Sequence, residues 1–192
     1  NLLFSRANIF DIYNMVIASG TTAKLIIPIA SIAPTNLGKN INISFMMSGK
    51  TGQDGRIHSS WNHLEALLEL IFIEKKIPPE KVQIHAVLDG RDSSPFGSVN
   101  NVSPIGNYLD LLKELLNNYE AEQCLAWVIG RSIAMDRDYR EDLAKTNYEL
   151  ITKGIGKLVN NFNELKAHIT KCHKLGMTDQ DIPPIVVSNE HH

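Results

Sequence analysis

At 192 residues, 43% hydrophobic and 21% charged, the chain has the length and composition of one globular domain with a full-sized core. A formal net charge of −2 gives no overall attraction to nucleic acid or to an anionic membrane, so any anion binding must come from local clustering of basic residues. The most apolar stretch, residues 25–33, is short, contains Pro28 and follows Lys24, which argues against a membrane span.

The elements are predicted as follows. Ile9, Ile12, Tyr13, Val16 and Ile17 recur at helical spacing, and Gly20 is placed to end that helix. Residues 21–40 are interrupted by Pro28, Pro34 and Gly38 and carry no clear pattern. Residues 41–47 read as a strand, followed by a polar, Gly-containing loop over 48–60. A helix then places Leu64, Leu67, Leu68, Ile71 and Phe72 on one face, with Ser60 as its N-cap, and Pro78-Pro79 closes it. Residues 82–88 form a second apolar strand, and a helix follows with Ile105, Tyr108, Leu109, Leu112, Leu115 and Leu116 on one side. Residues 125–129 are a third strand, then comes a helix over 139–153. A final helix sets Leu158, Phe162, Leu165, Ile169 and Cys172 at spacings of three and four, and residues 182–187 are a late strand.

Strands that alternate with helices imply an α/β fold, with a mainly parallel central sheet flanked by helices on both faces in a three-layer sandwich. Ligands of such sheets bind outside the carboxyl ends of the strands. Three strands deliver polar loops to that edge: Asp54, Arg56 and His58 on the first, Asp89, Arg91 and Asp92 on the second, Arg131, Asp136 and Arg137 on the third. Of only six arginines in the chain, Arg91, Arg131, Arg137 and Arg140 lie in or beside the second and third loops. The planar fork of arginine suits bidentate binding of phosphate or carboxylate, so the clustering points to an oxyanion site. For a single loop, a local ion pair at a turn would be the simpler account. Two loops of the same character at corresponding strand ends favour a ligand.

Other motifs weigh less. Ser48-Gly49-Lys50-Thr51 looks like the end of a nucleotide P-loop, but Ser44 occupies the position of the required first glycine. His58 and His63 have no acidic or cysteine partner at ligand spacing, so no metal site is expected in this chain. His85 alternates with Ile84 and Ala86 and reads as a structural histidine on a sheet face. Cys124 and Cys172 are too few and too far apart for a disulfide framework, which points to a reducing, cytoplasmic setting. The chain starts with Asn1, shows no signal-peptide pattern and closes on His191-His192. Both ends are therefore expected to be cut, with residues 191–192 the start of a purification tag.

Three segments resemble one family, the cofactor-independent phosphoglycerate mutases. Gln53-Asp54-Gly55-Arg56-Ile57-His58-Ser59 is similar to their Asp-Gly-Gly-Val-His-Ser motif. The run His85-Ala86-Val87-Leu88-Asp89-Gly90-Arg91-Asp92 is similar to their His-Ala-Phe-Leu-Asp-Gly-Arg-Asp. Gly130-Arg131 with Met135-Asp136-Arg137-Asp138 is similar to Gly-Arg-Tyr-Tyr-Ala-Met-Asp-Arg-Asp. Thr178-Asp179 with Pro184 fits a Thr-Asp-Glu-Phe-x-x-Pro segment, so the agreement runs in register from about residue 45 to 187.

The resemblance implies a transferase, substrate-holding domain over residues 41–190, preceded by a poorly matched leading segment over 1–40. It further implies that His58, Arg91, Asp92, Arg131 and Arg137 hold the phosphate and carboxylate of 2- and 3-phosphoglycerate, with Asp92 managing a hydroxyl proton as the catalytic group. The partner it implies is the phosphatase-like domain of the same enzyme, which carries the phosphoryl-accepting serine and two metal ions, usually manganese. No cofactor is expected in the present chain. Departures from the family pattern are Arg56 for a glycine, Ser60 for a second histidine and Ile133 for a tyrosine. They motivate an alternative, a non-catalytic module that binds phosphate or carboxylate ligands.

Overall fold

The computed structural model describes residues 14–16, 41–48, 59, 61–102 and 104–188. Six strands form one sheet in the order β1-β2-β3-β4-β6-β5: β1 (Asn14–Val16), β2 (Ile41–Met47), β3 (Val82–Leu88), β4 (Leu125–Gly130), β6 (Ile185–Val187) and β5 (Lys157–Val159). β1 to β4 run parallel, β6 is antiparallel to β4, and β5 is parallel to β6. β2 and β3 pair over their whole length, from Ile41 opposite Val82 to Met47 opposite Leu88. The β3–β4 ladder carries one irregularity between Ile84 and His85.

Helices cover both faces, as the alternation of strands and helices predicts. On one face lie α1 (Trp61–Glu69), α2 (Tyr108–Asn117) and α5 (Phe162–Lys174), whose buried Leu67, Leu68, Leu109, Leu112, Leu165 and Ile169 pack on Ile43, Phe45, Ile84 and Val128. On the other, α4 (Glu141–Lys153) sets Leu150 against Met46, Val87, Trp127 and Ile129. Local chemistry sets the helix ends. Asn107 Oδ1 accepts the Asp110 N–H at 2.9 Å to open α2, and Asn161 Oδ1 accepts that of Glu164 at 2.9 Å to open α5. Gly154, at φ 63°, closes α4 in the left-handed conformation. The last turn of α1 widens into a π-helical stretch, Leu70–Glu74, ahead of Pro78-Pro79.

Four expectations are corrected. Within the span read as a first helix, Asn14–Val16 is a strand, paired in parallel with Asn42–Ser44. Pairing with an available sheet edge overrides an ambiguous short apolar pattern. Leu158 does not begin the final helix: it lies in β5 with 57% of its surface exposed, because Asn161 places the helix N-cap three residues later. The late strand covers 185–187 rather than 182–187, since Pro183 and Pro184 have no N–H to give a ladder. The helix predicted from 139 starts at Glu141, and the loop before it contains a single helical turn, α3 (Arg131–Ala134).

Candidate functional site

The loops after β3 and β4 emerge side by side at the carboxyl edge, where Leu88 of β3 is paired with Gly130 of β4. They are joined through Arg131. Its Nη1 lies 2.5 Å from Asp89 Oδ1 and 2.5 Å from Asp92 Oδ2. Arg131 and Asp89 are buried, while Asp92 is partly exposed. Burial opposes the charge on Arg131, but the hydrogen bonds and charges of Asp92 and Asp89 outweigh it and hold its pKa above the ordinary arginine value. The loop itself turns around Asp89, whose Oδ1 also faces the backbone N–H groups of Arg91 at 3.4 Å and Asp92 at 3.3 Å.

A third segment clasps both loops. Thr178 opens a 3-10 turn, Asp179–Asp181, with its side chain and backbone N–H both donating to Asp181 Oδ2, at 2.7 and 3.1 Å. Gly90, at φ 62°, leaves so little room beside this turn that a Cβ would stand 2.8 Å from Asp179 Cβ and 2.8 Å from the Gln180 nitrogen. On the β4 side, Gly130 N–H donates to Ile182 O at 2.8 Å, and Ser132 Oγ donates to Gln180 O at 2.6 Å. Asp179 is buried and anchors the turn. It accepts the Ser98 N–H at 2.8 Å and the Ser98 hydroxyl, sits 2.9 Å from His173 Nε2, and donates its own N–H to Pro95 O at 2.7 Å. Burial pushes the Asp179 carboxyl above its usual range, against the pull of the Ser98 hydrogen bonds and His173. Asp179 therefore lies between the serine and the histidine, an order that ties three segments together and differs from a serine–histidine–carboxylate relay.

The predicted site residues divide into three groups. Arg131 and Asp92 are brought together, with Asp89 as a partner that reading the loops one at a time does not assign. Arg91 and Arg137 are exposed on the two adjacent loops, and neither makes an ion pair among the described residues. Arg140 is engaged by Asp136, with Nε and Nη2 each 2.7 Å from Oδ1 and its N–H 2.8 Å from Oδ2. The backbone and guanidinium of Arg140 hold the Asp136 carboxyl below the usual carboxylate range. Asp54, Arg56 and His58 lie outside the described residues, as do the Gly49-Lys50-Thr51 stretch and residues 191–192. Ser59, next to His58 in sequence, is buried and donates to Met46 O at the end of β2.

Asp179, Ser98 and His173 are what the residue patterns missed. The one available signal was the Thr178-Asp179…Pro184 segment. Among the described residues no group of three His, Cys, Asp or Glu side chains could hold a metal ion. No helix among them is long and apolar enough to cross a membrane.

A separate cavity of about 470 Å³ lies on the α4 face toward the other end of the strands, floored by Asn42, Ser44, Gln83, His85 and Trp127. His85 stacks on Trp127 with ring centroids 4.3 Å apart, and burial lowers its pKa to about 4, so it is neutral at pH 7. No lysine or arginine among the described residues lines this cavity, which makes that lining a poor match for a multiply charged anion.

Known proteins resemble this chain along most of its length. Residues 41–192 match the family model described as the BPG-independent PGAM N-terminus. The 2,3-bisphosphoglycerate-independent phosphoglycerate mutase of Syntrophotalea carbinolica is 34% identical over 137 residues, 71% of this chain and 24% of the relative. That of Psychrobacter arcticus is 31% identical over 156 residues, 81% of this chain and 26% of the relative. A crystal structure of Leishmania mexicana phosphoglycerate mutase at low cobalt concentration superposes with a TM-score of 0.60 over 88% of this chain and 31% of that one, at 22% identity, which bears on the fold alone. The chain thus spans about a quarter of the length of the curated relatives it matches. On the match over residues 41–192, this chain belongs to the family of BPG-independent phosphoglycerate mutase N-terminal regions.

Proposed function

We propose that this chain is the substrate-holding part of a phosphoglycerate mutase, residues 41–190 forming the transferase domain and residues 1–40 leading into it. It binds 2- and 3-phosphoglycerate at the carboxyl edge of β2, β3 and β4 and orients them for interconversion in glycolysis, in the cytoplasm. Arg91, Arg131 and Arg137, with His58 from the loop after β2, hold the phosphate and carboxylate, and Asp92 manages the proton of a glycerate hydroxyl. The phosphatase-like domain of the complete enzyme supplies the accepting serine and two metal ions, usually manganese, which provide the phosphoryl-transfer chemistry. The present chain contributes binding, orientation and one carboxylate.

The observation that carries this reading is the joining of two arginine-bearing loops through Arg131, Asp89 and Asp92 at adjacent strand ends. A phosphorylated hydroxy acid needs several cationic forks and one acid, and this edge supplies both. Calorimetric titration with 3-phosphoglycerate tests it. Arg91→Ala and Arg137→Ala should each cost about 1.5–3 kcal/mol of binding through loss of a charge-assisted hydrogen bond, and unchanged affinity in both variants would remove them from the site. A second reading, a non-catalytic anion-binding module, is favoured by Ile133, which packs toward the Trp127, Ile129 and Leu150 cluster instead of bringing a polar group to the loops. Complementation of a mutase-deficient cell by the full-length gene separates the two, because a binding relic cannot rescue growth.

A further inference from the structure

Asp89 is the member of the Arg131 cluster to which the functional reading assigns no task. Its side chain is 0% exposed, and a carboxylate at such a place is costly unless it is held by charge and hydrogen bonds. Oδ1 takes Arg131 Nη1 at 2.5 Å and faces the Arg91 and Asp92 N–H groups, whereas Oδ2 is buried with no hydrogen-bond partner among the described residues. The charge therefore depends on Arg131 staying in place. If that guanidinium swung toward a ligand, a carboxylate without its counter-charge, facing only the two long N–H contacts, would remain in the interior. Asp92 is different: its side chain is 27% exposed and can give way to an incoming anion.

We propose that Asp89 is a positioning residue of the anion site, whose buried carboxylate pins the Arg131 guanidinium so that phosphoglycerate meets a fixed donor. The proposal rests on the phosphoglycerate reading above. It makes Asp89 act through Arg131 and not on the ligand, which a double-mutant cycle can read directly. In calorimetric titrations of this chain with 3-phosphoglycerate, Asp89→Asn should weaken binding by about tenfold or more. In an Arg131→Gln background the same change should alter affinity by less than about twofold, because nothing is left to position. Equal losses in both backgrounds would mark Asp89 as a general structural support and overturn the proposal.

Should Asp89→Asn fail to fold, side-chain nitrogen NMR of the unsubstituted chain decides the matter. The Arg131 guanidinium N–H groups should stay slowly rotating both free and saturated with 3-phosphoglycerate, and averaging of their signals on ligand addition would overturn the proposal. Binding that Asp89→Asn leaves within about twofold would sink this inference alone. Absence of binding by the unsubstituted chain would sink the functional reading and this inference with it.

Discussion

Gly90 carries two demands at once, a backbone at φ 62° and a Cα pressed against the turn at Asp179 and Gln180. Gly90→Ala meets both the left-handed penalty and a clash with backbone, so it should lower stability by at least about 2 kcal/mol. Urea denaturation measures this, and a variant within about 0.5 kcal/mol of the parent would show that the clasp yields. His85 gives a pH signature with a definite sign. Its pKa falls from 6.5 to about 4 on burial, so between those values the unfolded chain binds a proton that the native chain does not. Stability should therefore drop as pH falls from about 6.5 to 4, by up to about 3 kcal/mol from this residue. His85→Gln should flatten that part of the profile, and an unchanged slope in the Gln variant would assign the loss to other groups. At this scale the site was partly legible. Arg91, Asp92 and Arg131 stand out because charged residues seldom follow buried strands in pairs. The commitment of Arg131 to Asp89 was not legible, because it joins residues 42 positions apart, and which of several aspartates meets which arginine depends on the register of β3 and β4.

The helices differ sharply in how much they bury. α2 puts Tyr108, Leu109, Leu112, Leu115 and Leu116 into the core, whereas α4, three residues longer, buries Leu150 alone. Leu112→Ala should cost about 2–5 kcal/mol, because a fully buried side chain leaves a cavity that the neighbouring helices cannot close. Ile151→Ala on α4, where Ile151 is 58% exposed, should stay within about 0.5 kcal/mol. Thermal melts of the two variants side by side test the contrast. The same inequality explains which elements could be read in advance. β2, β3 and β4 are long and mainly apolar, broken only by Asn42, Ser44, Gln83 and His85 on the cavity side, and α1, α2 and α5 carry broad apolar stripes. β1, β5 and β6 are three residues each, and their existence depends on the neighbour they pair with. A short edge segment such as Lys157–Val159, with two of its three residues exposed, has no periodicity long enough to separate strand from helix.

At the level of the whole molecule, the chain spans about a quarter of its relatives' length, and the proposed function assigns it the holding of the ligand and not the phosphoryl transfer. The chain alone should therefore bind phosphoglycerate and show no mutase turnover in a coupled assay, and measurable turnover would refute the division of labour proposed above. The clasp at Thr178–Ile182 adds a constraint in time. Ser98 waits for a partner 81 residues downstream and Ser132 for one 48 residues downstream. During synthesis the sheet strands β2, β3 and β4 leave the ribosome well before the turn that secures their loops. The clasped loops after β3 and β4 are thus among the last features to become fixed. Until residue 182 is free to fold back, Arg131 can meet Asp89 and Asp92, but the loops at Gly90 and Gly130 lack the turn that closes over them.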